Sequence, residues 1–531
     1  MNEPLPTTNS PRFPTFTRLV RWCFSWRTLG RLLVGLAALA TLIALVGTEE
    51  NWRGKRAWEH YKRQLEARGE KLDWKDFVPP PVPDAQNFAM TPFLAPLFDF
   101  NPSPRQPGQS LWRDTNGYNR IYALQHEMGV LAEAMPERNP DRALQKVTDL
   151  QRWALALSGQ TNQAASAASP ALTRVEAAGE VLRGFEKFSP VVEELRSASR
   201  RPYARFNIHY DVDFAPAILL PQLACLKSAV MLLQVRTAAE LALDRADQAW
   251  SDTELALYLA ETVKDEPFLI SKMVRVALVQ AALKPVWEGL AEHKWSAAQL
   301  MEIEQRLGRI DLLADAAMRG ERALSLRTID QLRDQGIIDA DSFSQRLPRV
   351  VSLLLGGFYY QNELSIARMY QELFVPVVDA AGERVYPSRA MANDAALAKA
   401  LNGGFQPYNL YARMLLPAIT QAEVKFAFGQ TRVNEAIVAC ALERCRLAEG
   451  SFPESLAALT PRFVQKLPHD LITGAPLLYH RTPDGQFILY SVGWNEKDDG
   501  GTVVMHPTKA STPDLTQGDW VWQYPGPPAP R

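Results

Sequence analysis

The stretch TLGRLLVGLAALATLIALVGT, residues 28–48, determines how the rest of the chain is placed. It has no charged residue between Leu32 and Gly47, which corresponds to about 24 Å of helix at ~1.5 Å per residue. A bilayer core of about 30 Å needs roughly 20 residues, so Leu29 extends the run and Arg31 reaches the headgroups. The sequence therefore predicts a transmembrane helix over residues 28–48, with the lipid bilayer as its partner.

Two other interpretations of this stretch are a cleaved signal peptide and a buried helix of a soluble domain. The stretch lacks a small-x-small cleavage site, and it runs directly into a charged, helix-forming segment. Arginine and lysine residues are almost equally frequent on its two sides, so they set the orientation only weakly. Because only a short tail precedes the span, we expect that tail in the cytoplasm and the bulk of the chain outside. The inverted orientation stays open.

Composition excludes some classes of protein. The 531 residues carry a net charge of −1, with 47% hydrophobic and 22% charged residues. No overall field attracts nucleic acid, and we expect no nucleic-acid partner. The four cysteines, at positions 23, 225, 440 and 445, form neither a CxxC pair nor a disulfide framework.

Changes in composition divide the chain into segments. They are a disordered basic tail (1–27), the transmembrane helix (28–48), a juxtamembrane helix (49–78), a proline-rich strap (79–117), a helical body (118–440), a C-terminal module (441–524) and a proline-rich tail (525–531). Proline breaks helices, so the strap is expected to be extended, and its many apolar residues predict that it packs along the body. Helix pairs in the body, such as the two joined near Asp244, predict a mainly α fold whose faces bind protein partners.

In the C-terminal module the hydrophobic period changes. Gly450 is a typical helix stop, and FPESLAAL, residues 452–459, predicts a short helix. Residues 476–481 and 486–493 predict two strands, joined by the turn TPDG. The module is therefore expected to be a small α+β unit with a β-hairpin.

Residues 441–501 resemble the C-terminal part of the major pseudopilins of type II secretion systems. The matching positions are Phe452, Pro453, Ser455, Leu456, Leu459, Leu467, Pro468, Asp470, Gly474, Pro476, Tyr479, Tyr490, Ser491, Gly493, Asp498, Asp499, Gly500 and Gly501. The chain departs from a pseudopilin in lacking a prepilin leader at the expected place, and hundreds of residues separate its membrane helix from the module. The whole chain is also similar to a family of bacterial single-pass membrane-anchored proteins that offers no activity to transfer. These resemblances imply a bacterial inner (cytoplasmic) membrane protein with its C-terminal bulk in the periplasm.

The acidic loop of the pseudopilins binds calcium. The resemblance therefore implies calcium as a cofactor, held by Asp498, Asp499, Asn495 and Ser491, because a hard cation takes several oxygen ligands. The alternative is an acidic, glycine-rich hairpin loop that holds no metal.

A second set of polar residues, HYDVD at 209–213, places His209, Asp211 and Asp213 on one side of an extended segment. These residues could bind a metal, or they could form a turn and cap before Pro216. The sequence has no nucleotide-binding or serine-hydrolase motif. We expect an interaction or scaffold protein of the cell envelope, linked to a secretion-type assembly. The alternative is an envelope enzyme whose site is assembled from distant residues, such as these three.

Overall fold

The computed structural model describes residues 26–101, 111–135, 146–159, 172–212, 215–335, 356–402, 406–508 and 512–524. Most of them are helical, and a small C-terminal region contains antiparallel strands, which confirms the predicted fold class. The chain divides into two compact units, Met1–Arg68 with Ile329–Leu364 and Gly69–Thr328 with Ser365–Arg531. The predicted tail 525–531 and residues 1–25 of the predicted N-terminal tail lie outside the described residues.

The helices follow the predicted order of segments. They are α1 (Trp26–Ala67), α2 (Thr115–Ala134), α3 (Leu150–Leu157), α4 (Arg174–Phe185), α5 (Ser189–Ala198), α6 (Pro221–Ala242), α7 (Ala246–Glu261), α8 (Leu269–Ala291), α9 (Ala297–Leu307), α10 (Leu313–Ala316), α11 (Arg319–Gln335), α12 (Gly356–Met369), α13 (Pro387–Asn402), α14 (Leu410–Leu415) and α15 (Pro417–Glu449). The strands are β1 (Val378–Asp379), β2 (Arg384–Val385), β3 (Leu478–Arg481), β4 (Phe487–Ser491), β5 (Val503–Met505), β6 (Pro513–Gly518) and β7 (Trp520–Gln523).

Helix α1, in the first unit, is one continuous element of 42 residues. Its most apolar 18-residue window is long and apolar enough to span a membrane, and none of that window is buried. Residues Ala215–Ala242, which include α6, pass the same test, but half of their window is buried as in the core of a soluble domain. The predicted juxtamembrane helix 49–78 is corrected: it is the second half of α1, and it ends at Ala67 because Gly69 adopts a left-handed φ of +83°.

Within the first unit, the start of α12 lies directly against α1. A Cβ atom added at Gly54 would lie 2.9 Å from the carbonyl oxygen of Gly357. The side chain of Asn51 accepts a hydrogen bond from the backbone N–H of Gly357. Only glycine allows the two backbones to approach so closely.

In the second unit, α6 and α7 form the predicted antiparallel pair. The turn between them places Asp244 at a φ of +58°, and the N–H of Arg245 donates to the carbonyl of Glu240 at 2.9 Å. Helix α8 packs on both, and the long α15 packs on α8, α9 and α10. The indole rings of Trp287 and Trp295 are buried within this arrangement.

The strap 79–117 is only partly extended. Its described residues form three short 3-10 turns, Asp84–Gln86, Phe88–Met90 and Ala95–Phe98. It gives way to α2 at Thr115 because the carboxylate of Asp114 accepts the N–H of Gly117 at 2.8 Å, as a helix cap does. The apolar residues Phe88, Phe93 and Leu97 are buried.

The C-terminal module contains the predicted hairpin, with Leu478 opposite Tyr490. Strand β7 completes the sheet in the order β3-β4-β7, and this third strand is an element that the hydrophobic pattern did not predict. Helix α15 ends as expected, because Gly450 has a φ of +81°. The predicted helix over residues 452–459 is corrected to one 3-10 turn, Leu456–Leu459, since it is followed directly by a Thr460–Pro461 bond.

Candidate functional site

The second unit contains a cleft of about 630 Å³. Four segments line it: residues 76–82 before and within the strap, 201–210 after α5, 258–266 at the end of α7, and 306–310 at the end of α9. We call it the arginine cleft, for the residues Arg201, Arg205, Arg306 and Arg309 in its walls. Clefts of about 300–1,000 Å³ are the usual size of small-ligand sites, so this is the candidate functional site.

Two of the walls are joined by the buried side chain of Asn87. Its amide N–H₂ donates to the carbonyl of Arg205 at 2.7 Å, and its oxygen accepts the N–H of Arg205 at 2.8 Å. The backbone adds bonds on either side, from Phe88 N–H to Tyr203 carbonyl at 2.7 Å and from Tyr203 N–H to Gln86 carbonyl at 3.2 Å. This pairing fixes the extended segment 201–205 against the strap.

The arginine side chains are held by backbone groups rather than by carboxylates. Arg201 donates to the carbonyl of Asn87 at 2.8 Å, and Nε of Arg205 donates to the carbonyl of Pro79 at 3.0 Å. Nε of Arg306 is buried and has no hydrogen-bond partner among the described residues. Within that described part of the chain, none of the four guanidinium groups, that of Arg309 included, lies in an ion pair with a carboxylate. A guanidinium group has five donors, so most remain for a ligand.

The two acidic side chains inside the cleft, Glu261 and Glu266, carry little free negative charge, because one is paired with a cation and the other has a raised pKa. Glu261 pairs with Arg275 at 2.8 Å. Glu266 is buried and accepts hydrogen bonds from Gln222 at 2.9 Å and from Ser271. Burial raises the pKa of Glu266 to about 7, although the bonds from Ser271 and Gln222 and the charge of Lys272 lower it. Asp76 and Asp265 are exposed at the rim.

Aromatic and proline residues cover the rest of the cleft. Phe77, Pro79 and Tyr203 contribute apolar surface, and Tyr203 is 45% exposed. Burial raises the pKa of Tyr258 to about 12, so its phenol is a neutral hydrogen-bond donor at pH 7. The lining residues, all of them described, include no histidine, cysteine or serine. Such a cleft can hold an anion with an apolar part, and its described lining offers neither a serine nor a cysteine nucleophile.

Of the segment HYDVD, residues 209–213, only a part lies at the arginine cleft. The ring of His209 is exposed and stacks on Phe100 with centroids 4.8 Å apart. Asp211 is exposed, and Asp213 lies outside the described residues. Tyr210, between them, is the member that lines the cleft. Neither His209 nor Asp211 lines the cleft, so the two do not form a site there.

Three of the predicted calcium ligands, Asn495, Asp498 and Asp499, lie in one loop, whereas Ser491 is the last residue of β4. Asp498 accepts from the hydroxyl of Tyr490 at 3.1 Å. Asn495 donates to Asp499 at 2.8 Å. The buried hydroxyl of Ser491 donates to Asp470 at 2.7 Å, away from these two. Among the residues that the structure describes, no group of three or more His, Cys, Asp or Glu side chains could hold a metal ion.

The residue that organises this loop is Asp519, which the sequence analysis missed. Its carboxylate accepts backbone N–H groups from Asp499 at 3.1 Å, Gly501 at 2.7 Å and Thr502 at 3.2 Å. Burial raises the pKa of Asp519, while these three bonds lower it. Its distance in sequence from the acidic loop concealed the contact. The calcium site stays a prediction.

The sequence analysis also missed the arginine cleft. One signal was present: RRPYARF, residues 200–206, contains three arginines and two aromatic residues without an acidic residue. Arg306 and Arg309 gave no such signal, because they lie in a segment of mixed charge that is typical of a solvated helix. Only the fold brings the two pairs together.

Comparisons with protein-family models, with curated proteins and with solved structures found no match to this chain. The case for a function therefore depends on the geometry of α1 and of the arginine cleft.

Proposed function

We propose that this protein is a membrane-anchored binding protein of the bacterial cell envelope. In this proposal α1 lies in the inner membrane, the bulk of the chain is periplasmic, and the arginine cleft is the binding site. The supporting observation is that four guanidinium groups in one cleft have no carboxylate partner among the described residues. Unpaired cationic side chains in a concave site favour an anionic ligand.

The location is tested by fusing alkaline phosphatase or a cytoplasmic fluorescent reporter to the C-terminus. The proposal expects an active phosphatase and a dark reporter, because phosphatase folds only outside the cytoplasm. A bright reporter with inactive phosphatase would overturn the periplasmic location. Insertion of a second spanning segment before residue 49 should invert both signals, which serves as the control.

A second candidate function, an envelope enzyme, has one specific observation in its favour. The carboxyl group of Glu266 lies in the cleft with a pKa of about 7, which suits a general acid or base. Wild type and E266Q would be compared on a panel of chromogenic ester and glycoside substrates. An activity that is lost in E266Q and follows one ionisation near pH 7 supports the enzyme. An activity that E266Q retains excludes this role.

The link to a secretion-type assembly and the calcium site in residues 491–499 belong to the same proposal. The resemblance to pseudopilins supports them. If the loop binds calcium, millimolar calcium should raise the melting temperature of wild type but not of a D498N/D499N variant. D514N, which changes a carboxylate outside the loop, should respond as wild type does. Equal melting temperatures with calcium and with a chelator would overturn the calcium site.

A further inference from the structure

We infer that the arginine cleft binds an extended, acidic peptide segment of a partner protein, with glutamate or aspartate side chains on its arginines and an aromatic side chain between them. This inference deepens the proposed binding function and depends on it. It concerns the chemical class of ligand, whereas the proposed function concerns location and the use of the cleft.

The charges define one part of the ligand. Arg306 and Arg309 lie one turn apart at the end of α9. The buried Nε of Arg306 has no partner within the described residues, and a buried donor without a partner is costly. Arg306 is only partly buried and Arg309 is exposed, so a ligand carboxylate can pair with the guanidinium nitrogens of these residues that face the cleft.

The segment 201–205 supplies a second pair of cations to the lining, and hydrogen bonds hold them in place. Arg201 and Arg205 each donate one hydrogen bond to a backbone carbonyl, of Asn87 and Pro79 respectively. The remaining donors of both groups are therefore oriented before a ligand arrives. Preorganised donors reduce the entropy that binding costs.

The same cleft that holds the two arginine pairs also has an apolar part. Tyr203 is half-exposed, and Phe77 and Pro79 lie in the same lining. An aromatic or proline side chain of a ligand can stack there, while Tyr258 donates from its phenol. The ligand thus alternates carboxylates with apolar groups.

The cleft also discriminates against other anions. Asp76 and Asp265 at the rim would repel a nucleic-acid strand, which carries a charge at every nucleotide, more strongly than a ligand with few charges. A peptide with two or three carboxylates meets less of this repulsion, because its charges are few and spaced apart. The prolines at 79–81 offer no N–H donors, so the peptide cannot add as a β-strand to this wall and must be recognised through its side chains.

The experiment uses the full chain purified in detergent and a fluorescein-labelled heptapeptide of alternating glutamate and tyrosine. Fluorescence polarisation at 50 mM salt should show binding of this peptide. The same peptide with glutamine in place of glutamate should bind at least tenfold more weakly. R306Q/R309Q should lose at least tenfold, and R413Q, which removes an exposed arginine outside the cleft, should bind as wild type does.

A charge reversal separates recognition from a folding defect. R306E/R309E should prefer a peptide of alternating lysine and tyrosine to the glutamate peptide, and a misfolded protein would bind neither. Equal binding of the glutamate and glutamine peptides by wild type would overturn the inference. Competition by free glutarate at the concentration of unlabelled peptide would also overturn it, because the ligand would then be a small dicarboxylate. These binding results do not depend on the topology fusions. The proposal about the ligand class and the proposal about the location can therefore be overturned separately.

Discussion

At the scale of single residues, the buried carboxyl group of Glu423 makes the stability of the fold depend on pH. Burial and the charge of Asp394 raise the pKa of Glu423 to about 9, and one carboxyl oxygen has no hydrogen-bond partner among the described residues. The folded protein therefore holds a proton that the unfolded chain releases. Its stabilising contribution is complete below about pH 4.5 and is lost as the pH rises toward 9.

The E423Q variant has no such proton to hold. At ~1.4 kcal/mol per pKa unit over the roughly 3.5 units between pH 4.5 and pH 8, its free energy of unfolding should exceed that of wild type by up to about 5 kcal/mol at pH 8. The two should agree below about pH 4.5. Urea unfolding followed by circular dichroism at both pH values measures the difference. E254Q, at an exposed glutamate, should follow wild type throughout, and an E423Q protein with unchanged pH dependence would contradict the assignment.

Gly289 is a second residue at which a single substitution should change the stability of the fold. A Cβ atom there would lie 2.1 Å from Nε1 of Trp295, whose indole is buried and donates to the carbonyl of Val286 at 3.1 Å. G289A should therefore destabilise the protein by about 1–3 kcal/mol through overpacking. G129A, in an exposed helix position with nothing within 4 Å, should be neutral or stabilising. Equal melting temperatures of the two variants would show that Trp295 can move aside.

At the scale of elements, Asn87 joins the strap to the segment that carries Arg201 and Arg205. N87A removes two hydrogen bonds to the backbone of Arg205 and one from the N–H of Ala89. We expect a loss of about 2–3 kcal/mol in stability, because the buried backbone groups lose their partners. Peptide binding should also weaken at temperatures where the variant is still folded.

The matched control for this prediction is N207A, at an exposed asparagine a few residues along the same segment. Surface changes of this kind are usually within about 0.5 kcal/mol. Hydrogen exchange of residues 86–88 and 203–205 gives a direct readout. Unchanged exchange in N87A would mean that the backbone bonds alone hold the walls together.

The elements that the sequence predicted are those with a local cause. The turn at Asp244 and the helix end at Gly450 each follow from one residue and its neighbours. Strand β7 was missed because its partner β4 lies far back in the chain, and its pattern WVWQ is too short to show a period. The cleft was missed for the same reason, since its arginines come from two segments more than a hundred positions apart.

At the scale of the whole molecule, α1 is the element whose removal should change where the protein is found. A chain without residues 28–48 should move from the membrane to the soluble fraction, because the exposed apolar surface of α1 is then absent. Carbonate extraction followed by immunoblotting measures this. A chain without residues 2–17 should stay in the membrane. A chain without residues 28–48 that remained carbonate-resistant would indicate another membrane contact.

The contact between Trp287 and the C-terminal end of strand β7 also affects the order in which the protein can fold during its synthesis. The indole N–H of Trp287 donates to the carbonyl of Gln523, which is 236 residues later in the chain, and the ring lies beside that of Tyr524. When the helices of the body leave the ribosome, Trp287, one of the largest core side chains, therefore still lacks these two contacts. Contacts of such long sequence separation form slowly. This part of the core can therefore be completed only after residues 520–524 have been synthesised and have docked on the helices.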